Sequence, residues 1–378
     1  MKPNQQTDLD GILRVASRFR IAPPTGVAEL RAGHINDSYV VGTSDGARGL
    51  LQRINEHVFP QPLRLMKNAE RITRHLARRL GPDSRRRRLT MIPVDDGRMW
   101  IATGLRDGVA GWWRMYELIE NVTTELRASS PDQAFRAAQA FGRFQGLLTD
   151  LPPPPLFETI PHFHDTPRRY RALDRTLRSG PGDERNAHRH RNAQAEIEAA
   201  ARHRGLADRL APAAARGTPE RTVHNDCKIS NVLFDRESGE ALCVVDLDTA
   251  MPGLAAFDFG DMARSMAHRA DEDAHDPQTA TVDLGMFEAV VRGYLDGACF
   301  LTADERNTLV DGALVLTLEQ AVRFLTDYLE GDIYFRVDRP EQNLDRCRVQ
   351  FTLLESLLDQ EAELHRIVAE VAGSVTSV

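Results

Sequence analysis

Short apolar runs broken by turn-forming clusters mark the start of the chain. Asp37–Val41 (DSYVV), Gly49–Arg53 (GLLQR), Leu89–Pro93 and Met99–Ala102 have the length and character of strands, punctuated by Thr43–Gly46 (TSDG) and Asp95–Gly97 (DDG). Between the second run and the third, Leu63–Leu80 spaces its apolar residues at helical intervals among many arginines. This pattern predicts an antiparallel sheet carrying one helix. After Trp112–Glu120 (WWRMYELIE) the periodicity turns helical. Ala134–Leu148 offers Phe135, Ala138, Phe141, Phe144 and Leu148 to one face, and Pro152–Pro155 stops the helix and acts as a stiff connector. Ala187–Ala215, rich in Ala, Arg and Glu, reads as solvated helix. Phe351–Val371 places Leu354, Leu357, Leu358, Leu364, Ile367 and Val371 near helical spacing, as a core-packing helix does. The pattern divides the chain into a strand-rich lobe over residues 1–120 and a larger helical lobe over residues 121–378.

Composition changes this picture little. The 378 residues suffice for two lobes, and 42% apolar with 27% charged residues is ordinary for a globular enzyme. The formal charge of −7 does not advertise a nucleic-acid or membrane surface. The polar start MKPNQQTDLD lacks a signal-peptide core, and no apolar run approaches the roughly 20 residues that cross a bilayer. Cys227, Cys243, Cys299 and Cys347 are far apart and form no C-x-x-C pair, which predicts a reducing, cytoplasmic setting. His162 with His164, and His188 with His190, lack a third ligand at metal-site spacing. The run Arg85–Arg88 reads as a solvated loop.

The informative segment is Val223–Asp248 (VHNDCKISNVLFDRESGEALCVVDLD). Its apolar runs Val232–Phe234 and Leu242–Val245 flank the turn-rich DRESGE, so a β-hairpin is expected. Asn231 opens the first strand and Asp246 closes the second, which brings both to one end of the hairpin. Asp226, five residues before Asn231, lies on the loop entering that end. Oxygen ligands of this kind suit Mg²⁺, which takes one or two carboxylates plus phosphates and water. A further aspartate can accept the hydrogen bond of an attacking hydroxyl, the division of labour that phosphoryl transfer requires.

His224-Asn225-Asp226 through Asn231, followed by Val245-Asp246-Leu247-Asp248, resembles the catalytic signature of the aminoglycoside phosphotransferase and choline kinase-like superfamily. The resemblance implies an α+β, protein kinase-like bilobal fold, with a small antiparallel-sheet N-lobe and a larger, mainly helical C-lobe. It implies Asp226 as catalytic base, Asn231 and Asp246 as metal ligands with Asp248 in the metal shell, and His224 as support of the catalytic loop. Further blocks are similar to the N-acetylhexosamine 1-kinases: Gly33–Tyr39, Leu51–Asn55, Trp113–Tyr116, Met251–Gly253 with Asp258–Asp261, and Arg323–Tyr328 with Gly331-Asp332 and Tyr334-Phe335. In that branch His34, Arg323 and Tyr334 match positions that hold the sugar beside Asp226. Gly33, Asn36, Arg53 and Glu120 are the implied nucleotide contacts. Arg53 stands where the phosphate-gripping Lys is usual, and Glu70 is a candidate partner for it. A G-x-G-x-x-G loop is lacking.

The expected function is transfer of the γ-phosphoryl group of MgATP to the anomeric hydroxyl of an N-acetylhexosamine, with a small-molecule sugar as partner. The alternatives are a kinase of an aminoglycoside or choline-like alcohol, and a catalytically inactive kinase-like binding protein. The latter would be expected to have lost Asp226, Asn231 or Asp246, and all are present.

Overall fold

The computed structural model describes residues 8–30, 35–104, 109–180, 182 and 184–375. Gly33 and His34 lie outside the described residues. The chain forms two compact units. The first comprises Met1–Val122, Asp150–Ile160 and Val245–Ala250; the second comprises Thr123–Thr149, Pro161–Val244 and Met251–Val378.

The first unit opens with helix α1 (Leu9–Ala16), capped by the Asp8 carboxylate, which accepts from the Gly11 N–H. Strands β1 (Pro24–Glu29), β2 (Asp37–Thr43) and β3 (Arg48–Arg53) follow. Helix α2 (Pro62–Leu80), strands β4 (Ile101–Thr103) and β5 (Gly111–Glu117) come next, and β6 (Val122–Thr123) lies where the chain passes to the second unit. The sheet is antiparallel with order β1-β2-β3-β5-β4. β1 is a half-exposed edge strand (PTGVAE) without an apolar run, so the hydrophobic pattern does not reveal it. β5 escapes the pattern for the opposite reason: Trp113, Arg114, Met115 and Tyr116 are all buried, so no alternation shows. The expected strand Leu89–Pro93 is an irregular segment, tied to β5 by the Met91–Tyr116 bridge and an Ile92 N–H donated to the Met115 carbonyl.

Side-chain alternation gives this sheet two distinct faces. Tyr39, Val41, Leu51, Trp113 and Met115 form a core with Ile12, Val15 and Phe19 from α1 and the turn after it. Ser38, Gln52 and Arg114, paired across the strands, point the other way. Asn68 on α2, 1% exposed, explains why distant segments join this unit. Its side-chain amide donates to the carbonyls of Phe157 (2.8 Å) and Ala250 (3.3 Å), and its oxygen accepts from the Phe157 N–H (3.0 Å). Arg71, on the same helix, donates to the carbonyls of Pro152 and Pro155, so the proline run is anchored along α2.

The second unit is mainly helical: α3 (Pro131–Leu147), α4 (Thr166–Ser179), α5 (Glu184–Asn192), α6 (Gln194–His203) and α7 (Ala211–Ala215) precede its strands. Strand β7 (Arg221–Val223) leads to the hairpin β8 (Val232–Asp235) and β9 (Ala241–Val244), and then to β10 (Met251–Gly253), which pairs with β7. Helices α8 (Ala255–Met266), α9 (Leu284–Gly297), α10 (Ala303–Arg306), α11 (Leu309–Glu330), α12 (Gln342–Asp359) and α13 (Glu361–Val375) complete it. The segment 187–215, read as one solvated helix, is broken into several, and Arg189 is buried with Asp332 and the Tyr328 ring. The C-terminal helix is two, interrupted at Gln360. Helix α3 packs on α9 with backbones nearly touching: a Cβ at Gly293 would sit 2.1 Å from the Phe135 carbonyl oxygen. That approach fixes α3, whose Phe141, Phe144 and Gln145 frame the loop after β7. Among the described residues no helix is long and apolar enough to cross a membrane.

Candidate active site

In the second unit, the loop after β7 is held from below by a buried carboxylate. Asp258, on the first turn of α8, accepts the His224 N–H (2.9 Å), the Asn225 N–H (2.7 Å) and the Gln145 side-chain amide (2.5 Å). Burial pushes the Asp258 carboxyl up, and His224 with these hydrogen bonds offsets only part of that. His224 is fully buried between the edges of Phe141 and Phe144, and its Nδ1 accepts from the Asp226 N–H (3.3 Å). Asn225 then takes a left-handed conformation, φ 65°, that few side chains other than Asn and Asp adopt readily. Backbone held in a sparsely populated region by many bonds is a feature of functional loops.

This frame delivers Asp226. Its Oδ2 accepts from the Asn231 side-chain amide (2.8 Å), which also donates to the Asp226 carbonyl (2.8 Å), and its Oδ1 pairs with the Lys228 ammonium at 3.1 Å. Burial pushes the Asp226 carboxyl up, but Lys228, His224 and the bonds from Lys228 and Asn231 outweigh it and leave it below the usual range. The carboxylate is therefore ionised at neutral pH and able to accept a proton. With its amide hydrogens aimed at Asp226, the Asn231 carbonyl oxygen is turned elsewhere, as a hard-cation ligand requires. Asp226, Asn231 and His224 are thus brought together; Lys228, within the motif, had been given no role.

The hairpin register pairs Val232 with Val244, so Asn231 and the chain leaving β9 stand at the same end. That chain carries Asp246 and Asp248, both in the first unit. Asp246 is exposed and left-handed, φ 60°. Asp248 is 1% exposed, with Oδ1 receiving Arg114 Nη1 at 2.5 Å and Oδ2 receiving the Asn36 amide at 2.6 Å. Each Asp248 oxygen thus already has a protein partner, and the charge is balanced inside the protein by Arg114. Arg114 also receives two bonds' worth of support from the Gln52 side-chain oxygen, at 3.0 and 2.9 Å. Burial alone would lower its pKa, but Asp248, with Tyr116 and Asp246, outweighs that and raises it above the ordinary value. Tyr116, under the Arg114 guanidinium, keeps a buried hydroxyl without a partner, and burial pushes its pKa up to about 12.

Arg53 is paired with Asp37 and not with Glu70. It lies on the α1 face of the sheet, bonded to Asp37 (Nε, 2.8 Å) and set over the Trp113 ring, while Glu70 pairs with Arg74 on its own helix. The cation on the face of Asp248 is Arg114, which sequence reasoning missed. Asn36 bridges Asp248 and the Asn55 N–H (3.0 Å), a positioning contact. Glu120 is exposed and paired with Arg48 at 2.6 Å.

Arg323 and Tyr334, by contrast, are brought together. The Arg323 guanidinium lies 5.7 Å from the Tyr334 ring centre and 5.3 Å from those of Phe163 and Phe335. Asp327 orders that wall by accepting the backbone N–H groups of Ile333, Tyr334 and Phe335. Nearby, His164 bonds Glu319 (2.9 Å) and reaches the Asn225 carbonyl (3.3 Å), which links the wall to the Asp226 loop.

Among the described residues no group of three or more His, Cys, Asp or Glu side chains is arranged to hold a metal ion. The free carbonyl oxygen of Asn231 and the exposed carboxylate of Asp246 are each donors of the type Mg²⁺ takes, an ion that keeps waters and phosphate oxygens and needs few protein ligands.

Residues 26–304 match the model of the phosphotransferase enzyme family, well over half of the chain. Solved structures similar in fold include a microcompartment-associated aminopropanol kinase (16% identity, TM-score 0.65, 95% of this chain and 99% of that one). A spectinomycin phosphotransferase in complex with ADP and spectinomycin matches at 11% identity and TM-score 0.60, over 94% of this chain and 99% of that one. A Plasmodium vivax ethanolamine kinase matches at 12% identity and TM-score 0.53, over 86% and 82%. At such identities these structures speak for the fold, a kinase-like arrangement of antiparallel sheet and helical unit. With the family match over most of its length, the chain belongs to the phosphotransferase enzyme family.

Proposed function

We propose that the protein is an ATP-dependent kinase of a small-molecule hydroxyl, with an N-acetylhexosamine as acceptor and its 1-phosphate as product. The observation that carries the reading is the Asp226 carboxylate, kept ionised beside Lys228 and Asn231 on a loop pinned by Asp258. Asp226 orients the acceptor hydroxyl and takes its proton as the oxygen attacks the γ-phosphorus and ADP leaves. A hemiacetal hydroxyl is more acidic than an ordinary alcohol, so a carboxylate base suffices. Asn231, through its carbonyl oxygen, and Asp246 would hold Mg²⁺, which when bound supplies charge neutralisation on the transferring phosphate. Lys228 adds positive charge beside the base.

The sugar assignment rests on the wall around Arg323. Aromatic rings offer faces for the apolar side of a sugar ring, and a guanidinium donates to its hydroxyl or acetamide oxygens. A cationic acceptor calls for acidic lining. Here two buried carboxylates close by are already engaged, Glu319 by His164 and Thr166 and Asp327 by the N–H groups of Ile333, Tyr334 and Phe335.

The test is Mg²⁺-dependent ADP formation from ATP across N-acetylglucosamine, N-acetylgalactosamine, choline, ethanolamine and spectinomycin, with products identified by mass and phosphorus NMR. A hexosamine 1-phosphate is expected. Turnover confined to the amine-bearing acceptors would retain the kinase and overturn the sugar, and no turnover with any acceptor would favour a binding protein.

A further inference from the structure

The Asn225–Asp226 peptide is gripped at both of its polar groups. Its N–H donates to His224 Nδ1 (3.3 Å), and its carbonyl oxygen lies 3.3 Å from His164 Nε2. A trans peptide is a rigid plane, so contacts on its two edges fix its rotation, and with it the direction in which the Asp226 side chain leaves the backbone.

His164, just before α4, is itself held. Its Nδ1 meets Glu319 Oε1 on α11 at 2.9 Å, and the other Glu319 oxygen accepts the Thr166 hydroxyl at 2.8 Å. The imidazole is 6% exposed and the carboxylate 1%. The rings of Phe163 and Phe257 lie beside the imidazole, with centres 4.6 and 5.1 Å away. Burial pushes the Glu319 carboxyl up, but His164, with Arg169 on α4 and Arg323 on α11, outweighs it and leaves the group below its ordinary range. An ionised carboxylate and a peptide carbonyl can only accept. An imidazole that meets acceptors at both nitrogens donates from both, and its bond to Asn225 is then charge-assisted. Satisfying the buried Glu319 needs only Nδ1. The Nε2 contact is the part that bears on the loop.

We propose that His164 is a positioning residue for Asp226, a role that rests on the reading of Asp226 as the base. Its Nε2–H, aimed by Glu319, holds the Asn225 carbonyl and so sets the angle at which the Asp226 carboxylate meets the acceptor hydroxyl. The competing role is that of a histidine that only satisfies a buried glutamate.

Two substitutions separate these roles. By side-chain length, an Asn amide reaches the place of Nδ1 and a Gln amide that of Nε2. His164→Asn therefore keeps the donor to Glu319 and loses the one to Asn225, and His164→Gln does the reverse. In the full chain with ATP, Mg²⁺ and N-acetylglucosamine, His164→Asn should lower kcat about tenfold with little change in either KM, the loss of one charge-assisted hydrogen bond. His164→Gln should lower kcat less. Tm should rank the two variants the other way, because only His164→Gln leaves Glu319 buried without its donor. A His164→Gln chain that is the worse of the two in both kcat and Tm overturns the proposal. A second readout is independent of turnover. In protein labelled with ¹⁵N-histidine and ¹⁵N-aspartate, both His164 nitrogens should bear hydrogen, and the Asp226 amide signal should move further in His164→Asn than in His164→Gln. An Nε2 without hydrogen, or an Asp226 amide displaced no further in His164→Asn, overturns the proposal as well. A wild-type chain silent with every acceptor would defeat the kinase reading instead, and the amide signal would still decide whether His164 positions Asp226.

Discussion

Asp258 and Asp248 are both buried carboxylates, each close in the chain or by hydrogen bond to a candidate site residue of its own unit, and they are stabilised in different ways. Asp258 is held by two backbone N–H groups and an amide, and so its charge serves to shape the backbone that presents Asp226. Asp248 is held by a guanidinium, itself braced by Gln52, and by Asn36; its charge ties strands β2, β3 and β5 to the segment that presents Asp246. In each case the more accessible aspartate nearby, Asp226 or Asp246, is the one to which the proposed function gives a role. The first framework is made of hydrogen bonds to the main chain and the second of an ion pair. They should therefore fail differently. A backbone-holding carboxylate lost to mutation should distort a loop, whereas half of a buried ion pair lost should leave an uncompensated charge.

The sharpest break in the comparison is expected at the accessible partner in the first unit. Asp246→Asn should lower kcat by about a thousandfold and raise the Mg²⁺ concentration for half-maximal rate, since metal neutralisation is worth several kcal/mol; a magnesium titration of initial rates checks both. Arg114→Met should destabilise the first unit by about 3–5 kcal/mol, because the Asp248 carboxylate stays buried without its cation. Denaturant unfolding measures this, and Arg114→Met combined with Asp248→Leu should recover most of the loss.

A pH profile addresses the second unit. The folded Asp226 carboxyl lies below its ordinary value, so its ionised form persists as pH falls and is lost only below the usual aspartate range. Lys228→Met removes a neighbouring cation, and the acid limb of kcat/KM should move to higher pH. A limb that stays in place would detach the activity from Asp226. The smallest effect is expected at the acceptor wall: Arg323→Ala should raise the acceptor KM about tenfold and leave the KM for ATP within about twofold.

The candidate loop and its hairpin were legible in the sequence because their geometry is local. His224, Asp226, Asn231 and Asp246 are linked by one hairpin whose turn and strands the apolar pattern marks. The supports were not legible, because they come from far along the chain. Asp258 sits on α8 and Gln145 on α3, and only packing brings them under the loop. Arg114 illustrates the same limit. Both Leu50 and Leu51 are apolar, so the sequence does not say which face of β3 turns toward Asp248, and the register that puts Gln52 and Arg114 there is not visible in the pattern. Strand β5 could not be read as a strand because it is covered on both faces.

The central claim is that Asp226 performs the chemistry and Asp258 holds it in place. Measuring kcat, nucleotide affinity and Tm for Asp226→Asn and Asp258→Asn side by side tests this directly. The account predicts that Asp226→Asn loses about a thousandfold or more in kcat with nucleotide affinity and Tm nearly unchanged. It predicts that Asp258→Asn loses Tm first, with a smaller fall in kcat. An Asp226→Asn enzyme that turns over at close to the wild-type rate, or an Asp258→Asn enzyme of unaltered Tm, would contradict it.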